Sequence, residues 1–291
     1  MKQSTGGRRK FIQQTVLSSL AIAFADVPAF ATGNKHKLKN IGLIVNVLQA
    51  ELKKDWEQTL RRVAAIGYTH LEFGKYYGND IAYFKKLLKE INLQPIAGGA
   101  AMAQMLKDDE LKKLIDDSLQ LNKKYLVCYW PWMDDGKNKK LDDFKKASDD
   151  LNRVGAFCNK AGIRLAFHNH DQEFVQVDGG YQWGYDVLMK ETDPGKVCML
   201  LDLYWCTKGG GDAIEILKKY PGRIEMFHVK DMDNTPEKLY TCPGYGTIDF
   251  KKIFAQAAKS GVKHYTVEID NHPNPMQCVE DSYRYLKALL F

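Results

Sequence analysis

Short apolar runs alternate with longer amphipathic ones along this chain, and the alternation repeats eight times after residue 37. The apolar runs predict strands at Ile41–Val47, Thr69–Phe73, Gln94–Gly98, Tyr125–Trp130, Arg164–His168, Val197–Leu203, Ile224–Val229 and Tyr265–Ile269. Each is followed by a helical pattern. In Asp249–Ser260, Phe250, Ile253, Phe254 and Ala257 recur at spacings of three and four, and Gly261 follows as a stop. Asp142–Lys160 carries Phe144, Leu151, Val154 and Phe157 on one stripe, with Gly162 beyond. Runs such as Val197-Cys198-Met199-Leu200-Leu201 are apolar on both faces, as strands of a parallel sheet covered by helices must be. Eight βα units in about 250 residues predict a single α/β domain, a (β/α)8 TIM barrel over residues 38–291. An open dinucleotide-binding sheet is disfavoured, because no Gly-x-Gly-x-x-Gly turn follows the first strand.

Composition changes this picture little. The chain has 291 residues, 45% of them hydrophobic and 27% charged, which is enough apolar material for one large core. No apolar run reaches the length that crosses a bilayer. The net charge of +6 divides evenly. Residues 1–31 hold Lys2, Arg8, Arg9 and Lys10 against Asp26, so +3 belongs to that leader and +3 to the remaining 260 residues. A nearly neutral barrel without a basic tract argues against nucleic acid as a partner. Within the leader, Arg8-Arg9-Lys10-Phe11-Ile12, an apolar stretch from Thr15 to Phe24 and Ala29-Phe30-Ala31 predict a twin-arginine-type export signal and a periplasmic location. Six cysteines lie in no Cys-x-x-Cys pair, and buried apolar thiols are the favoured reading. Export would also permit a disulfide, with partners the sequence does not choose.

Chemistry in a TIM barrel gathers where strands end. Here strand two ends in Leu71-Glu72-Phe73 and strand five runs into His168-Asn169-His170-Asp171-Gln172-Glu173. Strand six ends in Asp202, strand seven in His228-Val229-Lys230-Asp231, and strand eight in Glu268-Ile269-Asp270. So many acids at one mouth cannot ionise together without a cation, and a divalent metal resolves the conflict. Lys230 shares a strand face with His228, two residues away, and is placed to contact a substrate oxygen. His168 and His170 are likewise spaced for one face. Trp205 and Trp130-Pro131-Trp132 offer aromatic planes to a sugar, and Glu72 a carboxylate to a hydroxyl. Gly209-Gly210-Gly211 lacks the following Lys-Ser/Thr of a phosphate loop and reads as a flexible connection before a helix at Asp212.

Five motifs in order carry a resemblance: Ile66-Gly67-Tyr68-Thr69-His70-Leu71-Glu72; Phe167-His168-Asn169-His170 with Glu173-Phe174; Leu201-Asp202-Leu203-Tyr204-Trp205; Phe227-His228-Val229-Lys230-Asp231; and Val267-Glu268. In these the chain resembles the sugar phosphate isomerase/epimerase family, xylose-isomerase-like TIM barrels that include inosose dehydratase and ketose 3-epimerases. The resemblance implies one divalent ion (Mn, Co, Mg or Zn) held by Glu173, Asp202, His228 and Glu268. It also implies that Glu173 and Glu268 exchange a proton with a small carbohydrate substrate through an enediolate. The expected activity is an isomerase or epimerase acting on an unphosphorylated keto-sugar or polyol. The alternatives are a lyase or dehydratase on a keto-sugar or 3-keto-glycoside, and a non-catalytic sugar-binding barrel. Barrels of this kind often associate, so a homo-oligomer is allowed, although no surface stripe marks an interface.

Overall fold

A computed structural model describes residues 36–76, 78, 80–178 and 183–291. The leader at residues 1–31, expected to be an export signal, lies outside the described residues. Eight parallel strands close into a barrel: β1 Gly42–Ile44, β2 His70–Glu72, β3 Gln94–Ala101, β4 Tyr125–Trp130, β5 Arg164–His168, β6 Val197–Asp202, β7 Ile224–Val229 and β10 His264–Val267. Each strand pairs with its sequence neighbours in the barrel, and β1 pairs with β10 to close it. A two-stranded hairpin, β8 Asp231–Met232 and β9 Tyr240–Thr241, stands in the connection after β7.

The core has two layers. Ile96, Ala97, Val127, Ala166, Cys198, Leu200 and Met226 fill the barrel interior. Outside the strands, Leu126, Leu165, Phe167, Leu201 and Phe227 belong to a larger cluster with Phe144, Leu151, Phe250 and Phe254 of the surrounding helices. That division follows the period of two along the strands, broken where β3 shifts register against β2 and places Ile96 and Ala97 in the same cluster.

The helix Phe250–Ser260 begins where Asp249 accepts a hydrogen bond from the Lys252 amide, and ends at Gly261 with φ +88°. Only a residue without Cβ adopts that left-handed turn freely. The glycine triplet also behaves as a connection: a helix Leu203–Lys208 precedes it, and Asp212 caps the helix Ala213–Lys219 through the amides of Ile214 and Glu215.

Three departures from the pattern have local causes. The first apolar run leaves the sheet after Ile44, and Val45–Leu48 forms a 3-10 turn with Val45, Val47 and Leu48 buried. The third strand continues past Gly98 to Ala101. A side chain at Gly98 would collide with the Phe73 carbonyl, and one at Gly99 with the Val127 carbonyl, so those glycines are what let the strands close there. Finally, Cys242 and Cys278 form a disulfide, while Cys128, Cys158, Cys198 and Cys206 are free and buried.

Candidate metal and active site

Four strand ends deliver four donors to one point. A donor atom from each of His168 (end of β5), Asp202 (end of β6), His228 (on β7) and Glu268 (just past β10) lies within 4.8 Å of the others. His168 Nε2 stands 3.6 Å from Asp202 Oδ2 and 3.7 Å from Glu268 Oε2. His228 Nδ1 stands 2.8 Å from Glu268 Oε2. All four of those atoms are buried, yet none makes a hydrogen bond. Orphaned donors of this kind are costly, and converging on one point they fit a cation. Two imidazoles and two carboxylates are an N/O set suited to a divalent ion.

The local sequence explains each placement. Asp202 uses Oδ1 to accept the Trp205 amide at 2.7 Å, capping the helix that follows, and this leaves Oδ2 for the cluster. Asn169 accepts the Asp202 amide at 2.9 Å and so ties the ends of β5 and β6 together. Glu268 follows the four residues of β10 at the mouth of the barrel.

Charge in the cluster is unbalanced in a way that also suits a cation. Burial pushes the Asp202 carboxyl up. Burial would do the same to Glu268, but Lys230 and His228 outweigh it and hold that carboxyl well below its ordinary value. For His228, burial opposes protonation, while Glu72 and Glu268 outweigh it and raise the imidazole to about 10. The two carboxylates therefore compete for the positive charge at hand.

Lys230 supplies part of that charge. It is completely buried, with Nζ 2.9 Å from Asp270, 3.2 Å from Glu268 and 3.5 Å from Asp202. Burial disfavours its charge, and the three carboxylates more than reverse that, so the ammonium stays protonated. Nζ also lies 5.2 Å from the Trp205 ring centre.

The remaining expected residues fall around the cluster in different ways. Trp205 is half-buried, with its ring 5.3 Å from His170, and the half-buried Trp130 ring lies 5.1 Å from His170. Burial, then the neighbouring His168, drives the His170 imidazole down to about 2, and its Nδ1 has no partner. Glu173 is not among the four donors that converge. It is completely buried, and it accepts the Trp132 indole N–H at 3.0 Å and the His170 amide at 2.6 Å. Burial raises its pKa to about 7 against those two hydrogen bonds. His168, expected to touch substrate, occupies the place in the donor group that the resemblance gave to Glu173. The reason is positional: His168 closes β5, whereas Glu173 lies on the 3-10 turn Asp171–Phe174, which folds its carboxylate back on the His170 amide. Glu72, also expected to meet substrate, is fully buried and instead contacts His228 and Tyr129. Tyr129 escaped sequence reasoning because a Tyr in an apolar strand reads as core, and Trp132, expected to offer its plane to a sugar, is buried and gives its N–H to Glu173. Beside the mouth, a cavity of about 580 Å³ opens between Phe174, Trp183, Gly211 and Lys219, and none of the four donors lines it.

The chain and its fold have recognisable relatives. The inosose dehydratase of Clostridium perfringens is 25% identical, over 80% of this chain and 89% of that one. A sugar phosphate isomerase/epimerase structure from Parabacteroides distasonis is 28% identical, covers 89% of this chain and 96% of that one, and superposes with a TM-score of 0.73. A crystal structure of the IolI protein with a bound zinc atom shares the fold at 19% identity and a TM-score of 0.64, over 85% and 95% of the two chains. The model of the family described as xylose isomerase-like TIM barrel matches residues 60–289. With the closed eight-stranded barrel and polar side chains from its strand ends converging at one mouth, that match places this chain in the xylose isomerase-like TIM barrel family.

Proposed function

We propose that the barrel is a divalent-cation-dependent lyase that removes the proton next to the carbonyl of an unphosphorylated keto-sugar, keto-polyol or 3-keto-glycoside and expels the β-oxygen substituent. The observation that carries this reading is the buried set His168, Asp202, His228 and Glu268 with the Lys230 ammonium beside it. A cation held there supplies Lewis-acid polarisation of the substrate oxygens. Elimination needs one group to accept a proton and one to donate to the departing oxygen. Glu268, a carboxylate and the least buried of the four donors, takes the proton at the mouth of the barrel. Lys230 is a protonated donor whose ion pairs are all with carboxylates, and it serves the departing oxygen. Trp205 and Trp130 both pack against His170 and suit the C–H face of a sugar. The likeness to inosose dehydratases over 89% of their length supports elimination as the outcome.

A second reading, an isomerase or epimerase, is favoured by the 28% identity to a sugar phosphate isomerase/epimerase and by a Glu173 carboxyl that titrates near 7. It requires Glu173 to leave Trp132 and join Glu268 at the substrate. Residues 1–31 are read as an export signal, which favours free or glycosidic keto-sugars over phosphorylated ones.

The test is incubation with keto-sugars and 3-keto-glycosides in deuterated water with a divalent cation. Unsaturated product with release of water or aglycone is expected. Exchange at the carbon next to the carbonyl without elimination would establish the second reading, and neither outcome across the substrate panel would sink the enzymatic proposal.

A further inference from the structure

Glu72 at the end of β2 has a carboxylate that no water reaches. Its Oε1 accepts the Tyr129 hydroxyl at 2.7 Å and lies 3.0 Å from His228 Nε2. Strands β2, β4 and β7 pair with none of one another, so the three side chains meet across the barrel interior and not along a ladder. Nothing in sheet formation requires this contact.

Its consequence lies at the other nitrogen of His228. A neutral imidazole carries one N–H. When a cation takes the lone pair of Nδ1, the atom that faces the donor cluster 2.8 Å from Glu268, the one remaining N–H stands at Nε2, where Glu72 accepts it. Tyr129 is a donor to the same oxygen, and its hydroxyl, strongly raised by burial and by Glu72, remains protonated. It thereby holds the carboxylate in the one orientation that serves His228.

We infer that Glu72 and Tyr129 are positioning residues, which keep His228 in its Nε2–H tautomer and strengthen Nδ1 as a ligand to the divalent cation. Partners of this kind typically carry a factor of 10–100 in metal affinity. Glu72 is then neither a ligand nor a substrate contact, and its influence reaches the substrate only through His228. The inference rests on the cation site proposed above.

The test measures Zn²⁺ affinity by competition with a chelating dye on metal-stripped wild type, Glu72→Gln, Glu72→Leu and Tyr129→Phe, with circular dichroism and apo melting temperature as the check on folding. Expected are affinities roughly 10–100-fold weaker for Glu72→Leu, less affected for Glu72→Gln, which keeps an acceptor, and a few-fold weaker for Tyr129→Phe. In Zn²⁺-loaded wild type, nitrogen NMR of His228 should report the proton on Nε2. Affinities within two-fold of wild type in the folded variants, or a proton on Nδ1, would overturn the inference and leave the cation site standing. If Glu72→Leu does not fold, Glu72→Gln and Tyr129→Phe decide. Wild type that binds no Zn²⁺ overturns this inference together with the cation site.

Discussion

The Nζ of Lys230 stands 3.2 Å from Glu268 Oε2, and the lysine side chain has no exposure to solvent. A buried ammonium persists only where anions offset its desolvation, and here it also offsets them. Replacing it should therefore leave Asp202 and Glu268 uncompensated. Lys230→Met is expected to cost about 3–5 kcal/mol of stability in the absence of a cation, most of it recovered when Mn²⁺ or Zn²⁺ is added, with turnover down at least ~100-fold. Melting curves with chelator and with added cation would check this. A variant that melts with wild type under chelator would show that Lys230 does not balance the cluster.

Two side chains compete for one place in the donor set, and a single pair of variants separates them. His168 is within reach of Asp202 and Glu268, whereas Glu173 is tied to Trp132 and the His170 amide. His168→Ala should abolish tight cation binding, and Glu173→Gln should keep it within a few-fold. Wild type should gain about 2.7 kcal/mol of stability at a cation concentration 100 times its dissociation constant, a gain absent from His168→Ala. The reverse result would return Glu173 to the ligand set.

Glu173 also sets a pH dependence. Its folded pKa of about 7 lies above the ordinary glutamate value of 4.5, because burial disfavours the anion. The folded state thus binds the proton more tightly than the unfolded chain, and its contribution to stability is fully present below pH 4.5 and lost as pH rises through 7. A shift of this size corresponds to roughly 3 kcal/mol. Glu173→Gln should flatten the stability profile between pH 4.5 and 7 relative to wild type, as measured by urea unfolding. Parallel profiles would mean that the carboxyl is not destabilised by burial.

Much of this was legible in the chain before any coordinates. The strands Tyr125–Trp130, Arg164–His168 and Ile224–Val229 match residue for residue, because continuous apolar runs leave no other face for a parallel strand. Gly99 to Ala101 was illegible for the opposite reason: a stretch that survives by lacking side chains has no hydrophobic signature. The polar strand ends were visible as a set, but the choice among them was not. His168 and Glu173 are five residues apart, and only the turn Asp171–Phe174, closed by Glu173 on the His170 amide, decides which one reaches Asp202. Glu72 showed as a polar residue at a strand end, yet its partners lie 57 and 156 residues away, and no local pattern encodes them.

The connection from β7 to β10 is held at two points, and this predicts a large effect of reduction. Asp231, next to Lys230, accepts the amides of Met232, Gly244, Gly246 and Ile248, gathering the connection around one carboxylate. Cys242, just past the hairpin, is then joined across 36 residues to Cys278 on the helix Pro275–Ala288. A loop of that length corresponds to about 4 kcal/mol of lost freedom in the unfolded chain. The double variant Cys242→Ser, Cys278→Ser should melt roughly 10 °C below the oxidised wild type, and a reductant should bring wild type to the same temperature. Because Asp231 still gathers the connection, three of the four donors lie outside the bridged loop, and Glu268 within it directly follows a barrel strand, Zn²⁺ binding by the double variant should stay within a few-fold of wild type at temperatures below its melting point. A double variant that melts with the oxidised wild type would show that the Asp231 contacts alone hold this connection.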